Sequence, residues 1–276
     1  MLDSVSPPPC AHVLGVKVSA VDLNSAVDLA DRWIGSTTGH AYVCVTGVHG
    51  VMEAHADCEL RRILNHAYIN VPDGMPMTWV GRLQGFRKMD RVFGPDFMTA
   101  LCRLSAHRGY RNFFYGGKPG IAERLSVTLQ GKFPGLQVVG TFTPPFRDLT
   151  LEEERDLLAR VRRLRPHILW VGLSTPKQER FMERYVDSLQ VPLMVGVGAA
   201  FDYHTGQIRD CSEWVKRAGL QWLHRLIQDP RRLWKRYLRN NPAFLWHIAC
   251  QLSQLRQYPI GLESPLRGVC REKRTL

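Results

Sequence analysis

Short apolar runs alternate along the chain with segments of helical period. Seven of the runs read as strands: residues 12–18, 41–45, 68–71, 111–115, 136–141, 168–171 and 193–197. They are short and continuously apolar, as strands are when both faces of a sheet are covered. The segments between them read as helices. Asp22-Leu23-Asn24 can cap a helix over 26–34, and Gly94-Pro95-Asp96 precedes one over 97–107. Thr150 with Glu153 forms a capping-box pattern opening 152–164, and Thr175-Pro176-Lys177-Gln178 opens another helix. Repeated strand–helix units of this kind predict an α/β fold with a mostly parallel, doubly wound sheet.

Ligands of such sheets sit at the carboxyl ends of the strands. The polar and glycine residues collect there. The loops are Thr46-Gly47-Val48-His49-Gly50, Pro72-Asp73-Gly74, Gly116-Gly117-Lys118-Pro119-Gly120, the stretch from Gly172 to Glu179, and Gly198-Ala199-Ala200-Phe201-Asp202. Asp73 is a lone carboxylate on an apolar corner, and Asp-Gly by itself is an ordinary turn dipeptide. FFYGGKPGIAERL, residues 113–125, is strand, glycine loop, helix. Its glycines let backbone N–H groups approach a phosphate or a base. It matches neither the P-loop nor the dinucleotide fingerprint, which weakens a nicotinamide dehydrogenase reading.

Charge changes this picture more than overall composition does. The chain has 276 residues, 45% of them hydrophobic, enough for one large domain. The formal net charge is +12. From Cys211 onward there are 13 Lys and Arg against 4 Asp and Glu, whereas the first 210 residues hold 24 against 21. A nearly neutral body thus carries a basic C-terminal segment, which points to an anionic partner. In that segment Leu220, Leu223, Leu226 and Ile227, then Leu233, Trp234, Tyr237 and Leu238, recur at helical spacing among cations. That describes an interfacial helix at an anionic membrane surface. Aromatics among cations also suit nucleic acid, so a nucleic-acid-binding protein is the alternative.

No apolar run approaches the ~20 residues that cross a bilayer, and the first ten residues lack the regions of a signal peptide. Seven scattered cysteines without a C-x-x-C argue against a disulfide framework or a zinc site and suggest a reducing cytosol. A D-x-D motif and metal-ligand spacing of His, Asp and Glu are absent from the sequence, so neither metal nor cofactor is expected.

Taken in order, VTGVHGVMEA, YINVPDGMP, RVFGPDFM, FFYGGKPGIAERL, GLSTPKQERF, GVGAAFDYHTGQIRDCSEWVKRAGLQWLHRL and DPRRLWKRYL resemble the WecG/TagA/CpsF family, glycosyltransferase family 26, from about residue 15 to residue 240. The resemblance implies a Rossmann-like body with a C-terminal appendage. It also implies an inverting, metal-independent transferase that moves a sugar from a UDP-sugar donor to a polyprenyl-diphosphate-linked sugar acceptor, in exopolysaccharide or cell-surface glycan synthesis. Such an enzyme would be cytoplasmic and peripheral on the inner face of the bacterial plasma membrane. Nucleic acid would not be a partner, and a homo-oligomer is compatible with the pattern.

By the same resemblance, the catalytic base falls on Asp73 and the family's threonine on Thr46. Substrate contacts fall on Arg91 and Gln178, and diphosphate-facing arginines on or near Arg225, Arg232 and Arg236. Gly116, Gly117 and Gly120 fall on the nucleotide loop. One departure stands out: many members have T-x-N where this chain has Thr46-Gly47-Val48 followed by His49, which makes His49 a candidate polar contact. The expected organisation is a disordered lead-in over 1–11, a catalytic body over 12–210, a basic amphipathic helical appendage over 211–256 and a flexible basic tail over 257–276.

Overall fold

A computed structural model describes residues 6–36 and 39–260. The expected lead-in before residue 6 and the expected tail beyond residue 260 lie outside the described residues. The chain opens with a hairpin, β1 (Cys10–Val13) and β2 (Val16–Ser19), paired antiparallel and separate from the main sheet. The sequence pattern predicted one strand over 12–18; the structure breaks it at Leu14 and Gly15. Both have positive φ, 51° and 88°, the backbone of the tightest hairpin turns. Leucine is an uncommon residue for that conformation. Its side chain is fully buried here, so the turn left no polar signature.

The rest alternates. In order come α1 (Leu23–Ser36), β3 (Ala41–Thr46), α2 (Val48–Ala56), α3 (Cys58–His66), β4 (Ile69–Pro72), α4 (Met75–Leu83), α5 (Gly94–Arg108), β5 (Arg111–Gly116) and α6 (Ile121–Lys132). Then follow β6 (Gln137–Phe142), α7 (Leu151–Leu164), β7 (Ile168–Gly172), α8 (Lys177–Leu189), β8 (Leu193–Gly196) and α9 (Ala200–His204). The expected capping box opens α7: the Glu153 N–H donates to Thr150 Oγ1 at 3.3 Å, and the Thr150 N–H donates to the Glu153 carboxylate at 2.8 Å. Three further helices close the described chain: α10 (Glu213–Arg217), α11 (Gln221–Gln228) and α12 (Pro230–Leu252).

The sheet has six strands in the order β4-β3-β8-β7-β5-β6, all parallel. Successive residues of β3 bury in opposite directions. Tyr42 and Cys44 join a core with α2, α3, α7 and α8, while Ala41 and Val43 join one with α1, α5, α6 and α9. Two covered faces explain the continuous apolar runs. Cys10, Cys44, Cys102, Cys211 and Cys250 are free thiols, whereas Cys58 is disulfide-bonded, which the scattered spacing did not signal. Among the described residues no helix is long and apolar enough to cross a membrane.

The order of strands creates a switch point. The connection from β5 leaves toward β6, and the one from β7 leaves toward β8, so a crevice opens between their carboxyl ends. Gly116 and Gly172 are paired there. The backbones are so close that a methyl on Gly116, whose φ is 121°, would lie 2.6 Å from the Gly172 carbonyl oxygen. Gly120, by contrast, caps α6 with φ of 81° and open space around it. Gly116→Ala should therefore cost about 2–4 kcal/mol in urea unfolding, from combined backbone strain and a clash with main chain. Gly120→Ala should cost only about 1 kcal/mol.

Candidate functional site

One cleft of about 1790 Å³ runs along the carboxyl ends of the sheet. Every strand of the sheet contributes to it: Gly47 to His49 after β3, Asp73 and Gly74 after β4, Gly117 and Lys118 after β5, Pro144 to Leu149 after β6, Gly172 to Thr175 after β7, and Val197 to Tyr203 after β8. The α10–α12 segment covers the open side with Lys216, Gln221, Arg225, Arg232 and Arg236.

Asp73 follows β4 because Pro72 ends the strand and Gly74, with φ of 94°, turns the chain into α4. Its N–H donates to the Thr46 carbonyl at 3.0 Å, which ties it to the end of β3. A methyl on Gly47 would lie 2.8 Å from the Asp73 carbonyl oxygen and 3.7 Å from its Oδ2, so only glycine lets the two loops close on each other. Burial raises the Asp73 carboxyl to about 6. The Arg91 guanidinium pulls it back down and the Asp96 carboxylate pushes it up. Tyr203, also pushed up by burial to about 12, feels both Arg225 and Asp73. The Arg225 guanidinium lies over the Tyr203 ring, 5.3 Å from its centre.

His49, at the start of α2, lines the same wall. Burial and the nearby Arg236 lower it to about 4, so it is neutral at neutral pH. Asn240 Nδ2 lies 3.1 Å from His49 Nδ1. An amide nitrogen only donates, so Nδ1 accepts and the ring proton sits on Nε2. Gln178 is held on two sides: the Gly198 N–H donates to its Oε1 at 2.9 Å, and its Nε2 donates to Glu179 at 3.0 Å. Burial raises the Glu179 carboxyl, and its Oε2 has no hydrogen-bond partner.

The cleft thus gathers Asp73, His49, Gln178, Gly117, Arg225, Arg232 and Arg236. It does not gather four other residues singled out from the sequence. Thr46 is 2% exposed beneath the loop, with its hydroxyl unpartnered. Arg91 is turned to Asp96 at 3.3 Å and to Gln221 at 3.2 Å, bridging the body to α11. Gly116 is buried against Gly172, and Gly120 stands at the α6 cap. Tyr203, Gln221 and Lys216 were not singled out from the sequence, and Gly47 was read only as part of the rim loop after β3. The first three carried no sequence signal, because helices α9, α10 and α11 bring them in.

The arginines are supplied by one geometry. On α12, Arg232 and Arg236 are four residues apart and line the cleft, Arg232 from an exposed position where it also pairs with Asp229 at 2.7 Å, while Arg231, Lys235 and Arg239 do not line it. Arg225 Nη1 and Arg236 Nε are buried without a hydrogen-bond acceptor. Buried donors of this kind, on charged groups, favour an anion in the cleft.

A family model described as "Glycosyl transferase WecG/TagA/CpsF family" matches residues 11–258. Two curated relatives are similar in sequence, both named N-acetylglucosaminyldiphosphoundecaprenol N-acetyl-beta-D-mannosaminyltransferase. The one from Bacillus subtilis is 27% identical over 79% of this chain and 82% of its own length. The one from Bacillus spizizenii is 27% identical over 67% of this chain and 70% of its own length.

The raised carboxyl of Asp73 has a consequence for stability. Its folded value of about 6 lies above the ordinary 3.8, so the folded state binds more protons between those values. Its contribution is fully present below about pH 4 and is lost as pH rises to about 6. Asp73→Asn removes that loss. Thermal unfolding should find the variant more stable than the natural chain by about 1 kcal/mol at pH 8, after allowance for solvent screening, and equally stable near pH 4.

Proposed function

The chain belongs to the WecG/TagA/CpsF family of glycosyl transferases, and on that premise we propose that it moves a hexose from a UDP-sugar to a polyprenyl-diphosphate-linked sugar, inverting the anomeric centre and using no metal. The observation that carries this reading is the pairing of one carboxylate, raised to about 6, with three arginines across the same cleft. An inverting transfer is a single displacement. It needs one base to take the proton from the attacking acceptor hydroxyl, and it needs positive charge to meet the departing diphosphate. Asp73 fits the first role because a base near 6 is ionised at neutral pH yet still binds a proton well. Arg225, Arg232 and Arg236 fit the second.

The other residues take supporting roles in this scheme. Gly117 and the loop after β5 sit at the sheet's switch point, where a nucleotide has room beside the main chain. Gln178, fixed by Gly198 and Glu179, presents its amide to the sugar. His49 offers Nε2–H, a neutral donor, as a contact to donor or acceptor. Thr46 and Arg91 act from behind, Thr46 by holding the Asp73 loop and Arg91 by joining it to the α11 cover.

The outer side of the α10–α12 segment supports a peripheral location on the inner face of the plasma membrane. Trp214, Leu223, Ile227, Trp234 and Leu238 are exposed there, and so are Arg231, Lys235 and Arg239. Apolar and aromatic side chains beside cations match an anionic leaflet. A glycan made on such a lipid would be an exopolysaccharide or another cell-surface polymer.

Two experiments test the reading. With a panel of UDP-sugars and a synthetic polyprenyl-diphosphate N-acetylglucosamine, one donor should yield product with inverted anomeric configuration by NMR. Asp73→Asn should lower the rate about 10³-fold or more with its fold intact, and full activity in that variant would refute the base assignment. Independently, replacing Arg231, Lys235 and Arg239 with Gln should weaken binding to phosphatidylserine-containing vesicles about a hundredfold, at about 1 kcal/mol per charge. Transfer to a water-soluble acceptor should be unchanged.

A further inference from the structure

The cleft continues past the arginines. The same cavity is lined by Trp79, Val80 and Leu83 of α4 and by Phe244, Leu245 and Ile248 of α12. Each set lies on one helix face, at spacings of one, three and four residues. The two helices share both ends. At the polar end α4 starts directly after Asp73 and Gly74, and α12 presents Arg236 and Asn240, the latter bonded to His49. At the far end both reach the β1–β2 hairpin. Gln84, just past α4, accepts from the His12 N–H at 2.7 Å, and Gln251 of α12 accepts from the Leu14 N–H at 2.7 Å. The two glutamine side chains also both donate to the His12 carbonyl, at 2.6 and 2.7 Å.

The groove between these helices is apolar and uncovered. Leu83 is 70% exposed and Leu245 68%, while Phe244 and Ile248 form a buried floor. Above α4 the chain packs closely: a methyl on Gly219 would lie 2.7 Å from the Trp79 ring. Five of the six lining side chains carry no hydrogen-bonding group. Leucines so exposed in a cavity continuous with a charged site mark a binding surface.

We propose that this groove holds the first isoprene units of the polyprenyl acceptor. The inference rests on the acceptor reading above and adds where its lipid runs. Along α12 the cavity lining passes from Arg232 and Arg236 to Phe244, Leu245 and Ile248, and from Asp73 along α4 it passes to Trp79, Val80 and Leu83, so each wall runs from charge to hydrocarbon. The acceptor likewise runs from a sugar hydroxyl through a diphosphate to a hydrocarbon chain. The groove follows α4, nine residues long, or about 13 Å at 1.5 Å per residue. It therefore takes only the start of a long chain and leaves the remainder in the bilayer. The enzyme would thus recognise the lipid itself, beyond meeting it at a membrane.

The test uses water-soluble probes and the full chain, without vesicles. Farnesyl diphosphate should bind about tenfold more tightly than butyl diphosphate by calorimetry, since several more CH₂ groups leave water. In the double variant Leu83→Gln, Leu245→Gln, both at exposed positions outside the catalytic machinery, that ratio should fall to near one. Butyl diphosphate should bind the variant unchanged, which also reports an intact fold. The matching acceptors, N-acetylglucosamine diphosphate carrying farnesyl or butyl, should show the same tenfold difference in KM, lost in the variant, with kcat preserved.

A farnesyl-to-butyl ratio that is equal in the natural chain and the double variant overturns the proposal. So does a preference that appears only after residues 261–276 are removed, which assigns the groove to the chain's own C-terminus. Self-association abolished by the double variant overturns it as well, assigning the groove to a second copy. If farnesyl diphosphate binds as expected but neither acceptor is glycosylated with any UDP-sugar, the groove stands and the transferase reading falls.

Discussion

Two loops of a parallel sheet meet where almost no space is left, and the placement of Asp73 in the cleft depends on that meeting. The end of β3 and the end of β4 are joined by the bond from the Asp73 N–H to the Thr46 carbonyl, and Gly47 lies against the Asp73 main chain. The contact removes water from one carboxylate and holds it at the mouth of the cleft. Desolvation then raises its proton affinity, and Arg91 and Asp96 set the balance. The fold loses some stability by ionising a buried acid at neutral pH. What it gains is a carboxyl whose proton affinity lies closer to neutrality than an ordinary aspartate's.

The second half of the site comes from a different part of the chain. The body lines the cleft with Lys118, Arg147, Lys177, Arg180 and Arg184 as well as with Asp73, Asp148 and Asp202, and α11 and α12 add Arg225, Arg232 and Arg236. Arg91 connects the halves, since one guanidinium contacts Asp96 of the body and Gln221 of the cover. His49 and Asn240 make a second bridge. Buried guanidinium donors without acceptors on Arg225 and Arg236 leave the closed cleft electrostatically incomplete. An anion would complete it.

Helix α12 shows how one amphipathic element serves several surroundings. Arg232 and Arg236 line the cleft, Arg231, Lys235 and Arg239 reach solvent only, and Phe244 and Ile248 are buried along the same cavity that α4 lines. The density of cations among aromatics was visible in the linear chain. Their division among the cleft, solvent and the apolar groove was not, because each depends on what lies opposite a given helix face.

The chain's own pattern determined the alternation of strands and helices, the parallel sheet, the capping box at Thr150 and the gathering of glycines and a lone carboxylate after the strands. All of these are local: apolar period, turn chemistry and helix caps act within a few residues. The tertiary structure alone decided the Leu14-Gly15 turn, the retreat of Thr46 and Arg91 behind the cleft wall, the arrival of Tyr203 and Gln221, and the groove between α4 and α12. Those outcomes follow from the strand order and from helices far apart in sequence packing together. Which side chain meets which across such distances is a property of long-range contacts, and no window of neighbouring residues encodes it.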